Sequence, residues 1–277
     1  MADVLLDSSP LAPGRSPVRI HYRDVGDGPP IVILHGGWGY DVYPFDRQIA
    51  ALSPRHRIVI PDRTGYGASD ALDALPTDFH ARAAGETRSV IDAVGLEPPV
   101  LWGHSDGAII ALLIGLAAPG RICGAIVEAT HYFKHKPGSR TFFEAVAAQP
   151  RSKVLETHSR TWLRIVDEGL PGEDFYDGRL SELQVPVLVI HGARDPRTEP
   201  GELEALSAAL GVDADAGVGP HRSASRVVVL AEGGHSPHSE PATADHVTEA
   251  VLRFLSDVRR AAPDMVCREG GRRAESR

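Results

Sequence analysis

Short runs of apolar and mostly β-branched residues recur along this chain, separated by stretches rich in Gly, Pro and Asp. The runs are continuous rather than alternating in polarity, a pattern typical of parallel strands that are covered on both faces. The runs stand at Ile31–Leu34, Arg57–Ile60, Val100–Trp102, Ala125–Val127, Val185–Ile190 and Arg226–Leu230. An extended segment at Val18–Val25 predicts one further, antiparallel strand at the edge of the sheet.

Helical periodicity occupies the stretches between these runs. In Ala242–Val258, apolar residues from Val247 to Val258 recur at spacings of four, three and four, which predicts a helix with one buried face. Asp78–Val94 carries a similar apolar stripe. Strands that alternate with helices predict an α/β fold whose mostly parallel central sheet has helices on both faces.

The alternation breaks at residues 132–182, which carry aromatic-bearing helical patterns and no parallel strand. We interpret this segment as a helical cap inserted into a core that is formed by residues 18–131 and 183–258. The polar composition of the ends predicts that residues 1–17 and 259–277 are flexible tails.

Composition narrows the class of protein. The 277 residues are 42% hydrophobic, enough for one substantial core, and the formal net charge of −8 argues against a nucleic-acid partner. No apolar run is long enough to span a membrane, and the N-terminus does not resemble a signal peptide. Two cysteines are too few for a disulfide framework, so the expected location is the cytoplasm.

The clearest chemical motif is Gly103-His104-Ser105-Asp106-Gly107, which directly follows an apolar run and precedes an apolar helical stretch. A strand–turn–helix context is the one that a G-x-S-x-G nucleophile elbow requires. Such a turn exposes a serine hydroxyl at the end of a central strand, so Ser105 is the candidate nucleophile. The backbone amide of Asp106 then stands at a helix N-terminus, where it can stabilise an oxyanion.

A second glycine-rich turn follows the first apolar run, as His35-Gly36-Gly37-Trp38. A strand followed by this pattern is the expected place of the second oxyanion donor. We expect the donor to be the amide of Gly37, with that of Trp38 as the neighbouring alternative.

Two later strand-end loops supply a carboxylate and a histidine. Asp195 follows the fifth apolar run, and His235 follows the sixth after a glycine pair. A serine nucleophile needs a base, and a histidine base needs a carboxylate that holds its tautomer. Glu128 follows the fourth run and is an alternative acid, which could replace or assist Asp195.

These motifs resemble those of the α/β-hydrolase superfamily over about residues 18–258. The chain order Ser105, Asp195, His235 is that of the superfamily, and Asp62–Ser69 is similar to its D-x-x-G-x-G-x-S loop, with threonine where arginine is more common. The GHSDG and GGHSPHSEP segments resemble a branch of small serine esterase-like hydrolases. The adjacent Ser-Asp pair also resembles that of amino-acid-ester hydrolases of the valacyclovir-hydrolase type.

The resemblance implies the α/β-hydrolase fold and a triad of Ser105, Asp195 and His235 with no cofactor and no metal. Haloalkane dehalogenases and epoxide hydrolases of this fold carry Asp at the nucleophile position, so Ser105 argues against those activities. The predicted activity is cleavage of a small carboxylic ester through an acyl-enzyme. Amide, lactone, thioester or C–C bond cleavage by the same triad, and a non-catalytic ligand receptor, stay open as alternatives.

The expected partner is a small ester-like molecule, with no nucleic acid and no membrane, and the sequence leaves open whether the chain is a monomer or a homodimer. Candidate substrate-binding residues are Trp38, Asp106 and, in the cap, Phe142, Phe143 and Trp162. The cap aromatics either line a pocket over the strand ends or only pack the cap onto the core. The Asp106 carboxylate either stabilises a helix N-terminus or binds a substrate amine, as the resemblance suggests.

Overall fold

One mixed sheet organises the computed structural model, which describes residues 1–72, 74–212 and 224–261. In chain order the strands are β1 (Ala2–Leu6), β2 (Val18–Val25), β3 (Pro30–Leu34), β4 (Arg57–Pro61), β5 (Val100–His104), β6 (Gly124–Glu128), β7 (Val187–Gly192) and β8 (Arg226–Leu230). Across the sheet they run β1-β2-β4-β3-β5-β6-β7-β8. The β1–β2 and β2–β4 pairs are antiparallel, and every later pair is parallel. The mostly parallel sheet with helices on both faces that the sequence predicts is confirmed.

Helices cover both faces of the sheet. They are α1 (Asp46–Leu52), α2 (Phe79–Ala93), α3 (Asp106–Ala117), α4 (Pro137–Ala148), α5 (Lys153–Glu168), α6 (Glu202–Leu210) and α7 (Ala244–Ala261). The continuous apolar run of β3 serves two cores: Val32 and Leu34 pack with α2 and α3, whereas Ile31 and Ile33 pack with α1 and α7. None of the helices in the described ranges is long and apolar enough to cross a membrane.

The N-terminal segment is not a tail. Ala2–Leu6, placed by the sequence analysis in a flexible segment, forms β1 against β2, so Val18–Val25 is the second strand rather than the edge. Leu6 packs with Ile20 and Val90 in a small separate core, which holds the strand in place. Only Val4 and Leu6 of this strand pack into that core, and two apolar positions are too few to predict a strand from the sequence. At the other end, residues 259–261 complete α7, and residues 262–277 lie outside the described part of the chain.

The segment 132–182 joins β6 to β7 and contains α4 and α5, which pack against each other. Ser152 begins α5, where its hydroxyl accepts a hydrogen bond from the amide of Leu155 at 3.3 Å. Buried residues recur along α5 at helical spacing, so one face of the helix is turned toward the core: Leu155, His158, Ser159, Thr161, Trp162, Ile165 and Val166.

Candidate active site

Ser105 lies in the tight turn between β5 and α3. Its φ of 55° and ψ of −120° are unusual for a residue with a side chain, and such strain is typical of a nucleophile elbow. The flanking glycines permit the turn, because a Cβ on Gly103 would lie 2.1 Å from the carbonyl oxygen of Gly107. A Cβ on Gly107 would lie 2.0 Å from the carbonyl oxygen of Leu34. The turn is therefore pressed against the neighbouring strand end.

Two backbone amides are available beside Ser105. Asp106 is the first residue of α3, where helix amides have no intrahelical partner. The loop that contains Gly37 is held by Arg63, whose guanidinium donates to the carbonyl oxygens of His35 at 2.6 Å and Gly36 at 3.2 Å. Because a trans peptide is planar, a carbonyl of Gly36 tied to Arg63 turns the amide of Gly37 to the opposite side.

The acid and base loops meet at the ends of β7 and β8. His235 Nδ1 lies 2.8 Å from Asp195 Oδ2, and the other carboxylate oxygen accepts the amide of Arg197 at 2.9 Å. A Cβ on Gly192 would stand 2.1 Å from the carbonyl oxygen of Gly234, so the two loops touch backbone to backbone. This contact, which only glycine allows, brings the two loops that carry the carboxylate and the imidazole close together.

Burial sets the protonation of this pair. Burial, and then the positive charge of Arg197, lower the pKa of His235 below its ordinary value. Burial would raise the pKa of Asp195, but the hydrogen bond and charge of His235 outweigh it and lower that pKa. The pair is thus a neutral imidazole and a carboxylate at neutral pH, as a general base and its orienting acid require.

The reactive nitrogen of the histidine is enclosed. His235 Nε2 is buried, and no atom in the described ranges hydrogen-bonds to it, Ser105 included. Ser105, Asp195 and His235 are all buried. The Ser105 turn and the His235 loop are nevertheless joined, because His104 Nε2 lies 2.9 Å from the carbonyl oxygen of His235.

Glu128, the alternative acid, is paired with a different histidine. His238 donates to Glu128 Oε1 from its amide at 2.9 Å, and its Nδ1 lies 2.8 Å from the same oxygen. His238 Nε2 is 3.1 Å from the carbonyl oxygen of Tyr43, and both paired side chains are fully buried. The structure therefore joins His235 to Asp195 and assigns Glu128 to holding the loop behind His235.

The side chain of Asp106 is enclosed by three donors. His80 Nε2 lies 3.0 Å and Trp162 Nε1 3.1 Å from Oδ1, and His158 Nε2 lies 2.6 Å from Oδ2. Burial would raise the pKa of this carboxyl, but the charge and hydrogen bonds of His158 and His80 hold it well below its ordinary range. These contacts favour a structural role for the carboxylate.

Aromatic side chains from two segments cover the site. Trp38 stacks on Phe142 with ring centroids 5.5 Å apart, and Phe143 stacks on Trp162 at 5.2 Å. His131 continues this cover toward the triad, because its ring lies parallel to that of His235 at 5.8 Å. The predicted substrate-binding aromatics are therefore brought together above the strand ends.

Three residues of this site were not singled out from the sequence: His80, His158 and Arg197. One signal was available, because His158 and Trp162 are four residues apart and must share a face of α5. His80 and Arg197 lie far along the chain from Asp106 and Trp38, so no local pattern connects them. Within residues 1–72, 74–212 and 224–261, no three His, Cys, Asp or Glu side chains are placed to hold a metal ion.

Known proteins match this chain over different shares of its length. Residues 31–245 match the model of the Alpha/beta hydrolase family. Haloalkane dehalogenase 2 from Mycobacterium bovis is 31% identical over 136 residues, which cover 48% of this chain and 46% of that protein. The chain thus matches less than half the length of that relative. Serine hydrolase BPHL from Mus musculus is 25% identical over 90% of this chain and 83% of its own length.

Among solved structures, a thermophilic esterase from Thermogutta terrifontis superposes with a TM-score of 0.66 at 18% identity. The superposition covers 93% of this chain and 99% of the esterase. At that identity the likeness concerns the fold.

Proposed function

Because the chain belongs to the Alpha/beta hydrolase family, we propose that it is a serine hydrolase that cleaves a small carboxylic ester through an acyl-enzyme. The observation that carries the proposal is the hydrogen bond between His235 and Asp195, made at the strand ends beside the strained turn of Ser105. A serine, a buried neutral imidazole and a paired carboxylate are the parts that nucleophilic acyl transfer needs.

The proposed reaction has two halves. His235 Nε2 takes the proton of Ser105 as the hydroxyl oxygen attacks the ester carbonyl, and the resulting oxyanion accepts hydrogen bonds from the amides of Gly37 and Asp106. The imidazolium then protonates the leaving alcohol. Water, deprotonated by the same nitrogen, attacks the acyl-enzyme and releases the acid. Substrate binding would align the serine with the imidazole, as active-site hydrogen bonds often tighten only in the complex.

The stacked pairs Trp38–Phe142 and Phe143–Trp162 would form the wall of the substrate pocket. Apolar walls with a few polar groups are typical of small-molecule sites. The names of the relatives agree in part with this proposal: one is a serine hydrolase and one an esterase, whereas another is a haloalkane dehalogenase. Amides, lactones and thioesters belong in the same substrate panel, because the triad alone does not choose the bond.

Replacing the nucleophile tests the proposal directly. Ser105→Ala is expected to lower kcat on short-chain esters by about 10⁴–10⁶, since triad members act as a unit. The wild type should be labelled at Ser105 by a fluorophosphonate, and mass spectrometry of the labelled peptide would locate the adduct. Thermal unfolding of the variant controls for folding. Near-normal ester turnover by Ser105→Ala would overturn the proposal, and stoichiometric ligand binding without turnover by the wild type would favour a receptor.

A further inference from the structure

Not every buried cation of the described chain is paired with a carboxylate. Lys136 forms an ion pair with Glu202, and Arg63 donates to two backbone carbonyls. Arg197 is also buried, at 8% exposure, yet no carboxylate oxygen within the described ranges lies within 4.0 Å of its guanidinium. Burying a cation without an anion is costly, because the hydration that it loses is not replaced.

The surroundings of Arg197 compensate only in part. Its guanidinium carbon lies 4.2 Å from the ring centre of Phe142 and 4.9 Å from that of Trp38. Such cation–π contacts stabilise a cation by less than the hydration free energy that it loses on burial. Burial accordingly lowers the pKa of Arg197, with Tyr43 and the carboxylate of Asp195 acting in the opposite direction.

The nearby carboxylates are already committed. Asp195 accepts His235 on one oxygen and the amide of Arg197 on the other. Asp106 accepts three side-chain donors. Both oxygens of each carboxylate therefore already accept a hydrogen bond, and neither carboxylate forms an ion pair with the guanidinium.

The position of Arg197 is that of a ligand-binding group. Its positive charge lowers the pKa of His235, His131 and His104, so the guanidinium lies near the proposed triad. It also lies on Trp38, the residue that follows the oxyanion donor Gly37. A planar fork of donors in this setting is suited to binding a carboxylate.

We propose that Arg197 binds a carboxylate on the substrate, so that the preferred substrates are small esters that carry a second, anionic group. The inference deepens the proposed function and rests on it. It favours an anionic over a cationic substrate, because the carboxylate of Asp106 already accepts three donors, whereas the guanidinium of Arg197 has no carboxylate partner in the described ranges.

The test compares esters that differ only in charge. Monoethyl succinate carries the carboxylate on the acyl side, and ethyl succinamate is its neutral isostere. O-acetylglycolate and O-acetylglycolamide form the matching pair with the charge on the alcohol side. The readout is the ratio of kcat/KM for the charged ester to that for the neutral ester, because this ratio cancels any general loss of activity.

The wild type should prefer the charged ester of at least one pair by at least about tenfold, and Arg197→Gln should lower that ratio by about 10²-fold. Arg197→Lys, which keeps the charge but not the planar fork, should fall between them. Arg194→Gln is the matched control: this arginine lies in the same loop, is 63% exposed and pairs with Glu232. It should leave the ratio unchanged. A wild-type ratio of one or less for both pairs, or equal ratios in wild type and Arg197→Gln, would overturn the inference.

A binding measurement separates this inference from the proposed function. In the Ser105→Ala background, calorimetric titration with monoethyl succinate or O-acetylglycolate should give a Kd that Arg197→Gln weakens by about 10²-fold. Loss of all ester turnover in the wild type would overturn the esterase and leave this binding result standing. Equal Kd values with and without Arg197 would overturn the anion site even if the esterase is active. Thermal unfolding of Arg197→Gln controls for folding, and Arg197→Lys serves if that variant is unstable.

Discussion

Individual carboxylates near the catalytic loops have different tasks although all three are buried. Asp195 holds the imidazole of His235, the proposed general base, Glu128 holds His238, and Asp106 accepts its own set of donors. From the sequence, Asp195 and Glu128 were both candidate triad acids, because each follows a parallel strand. Only the three-dimensional pairing with His235 or His238 distinguishes them, and this pairing depends on contacts between residues far apart in the chain.

The two candidate acids can be separated by kinetics. Asp195→Asn should lower kcat by about 10³–10⁴, because an amide cannot enforce the productive imidazole tautomer. Glu128→Gln should lower kcat much less and should mainly reduce the free energy of unfolding, because it weakens a buried pair with His238. Steady-state kinetics and urea unfolding of both variants give the comparison. A larger loss of kcat in Glu128→Gln than in Asp195→Asn would make Glu128 the acid.

At the scale of elements, one carboxylate joins three helices. Asp106 begins α3, His80 lies on α2, and His158 and Trp162 lie on α5. The cap helix therefore meets the core at the residue whose amide is a proposed oxyanion donor. The ring of His158 also covers Gly37 so closely that a Cβ there would lie 2.1 Å from it. The position of α5 and the geometry of the proposed oxyanion hole are thus coupled.

Asp106→Asn tests whether these contacts of Asp106 hold α5 against the core. An asparagine has one acceptor oxygen and an NH₂ group that would face an N–H donor, so we expect a loss of about 3 kcal/mol in the free energy of unfolding. The substitution should also speed amide hydrogen exchange in α5 relative to the wild type, and this increase should be larger in α5 than in α7. Asp167→Asn is the matched control, because Asp167 lies on α5 but is half-exposed and pairs with Arg140.

Asp106→Asn also tests whether the Asp106 carboxylate binds a substrate amine or has only a structural role. We expect the ratio of kcat/KM for an α-amino ester to that for its desamino analogue to be unchanged. A selective loss of amino-ester turnover, with normal unfolding and normal exchange in α5, would instead identify the carboxylate as an amine-binding group.

The elements themselves were largely predictable from the sequence. Parallel strands buried on both faces produce continuous apolar runs, and the runs at 31–34, 100–102 and 226–230 lie within β3, β5 and β8. The short helices α1 and α6 were missed, because seven and nine residues carry little periodic signal. The link from His158 to Asp106 spans 52 positions of the chain, so no local pattern could indicate it.

For the whole molecule, buried neutral histidines link stability to pH. Burial lowers the pKa of His35 to about 3 and places those of His104 and His131 well below their ordinary value. The folded chain keeps them neutral, while the unfolded chain takes up protons as the pH falls below about 6.5. The contribution of these neutral histidines to the free energy of unfolding is therefore fully present above about pH 6.5. It is lost progressively as the pH falls from there to the pKa of each histidine in the folded chain.

The free energy of unfolding should therefore be nearly constant from pH 8 to 7 and then fall as the solution is acidified. Each such histidine contributes a slope of about 1.4 kcal/mol per pH unit well below pH 6.5. Urea titrations at half-unit intervals from pH 8 to 5 would measure it. His131→Gln should reduce the slope by one histidine's share. A curve that stays flat to pH 5 would show that these side chains are protonated in the folded protein.

The close approach of Gly192 to the glycine pair before His235 has a consequence for laboratory evolution of this enzyme. Where a single methyl group has no room, an insertion or a bulkier residue in either loop would pull the acid and the base apart together. Libraries directed at these two loops should yield mostly inactive clones. Productive variation in substrate range should come from α4 and α5, whose side chains can change without moving the backbone that carries the proposed triad.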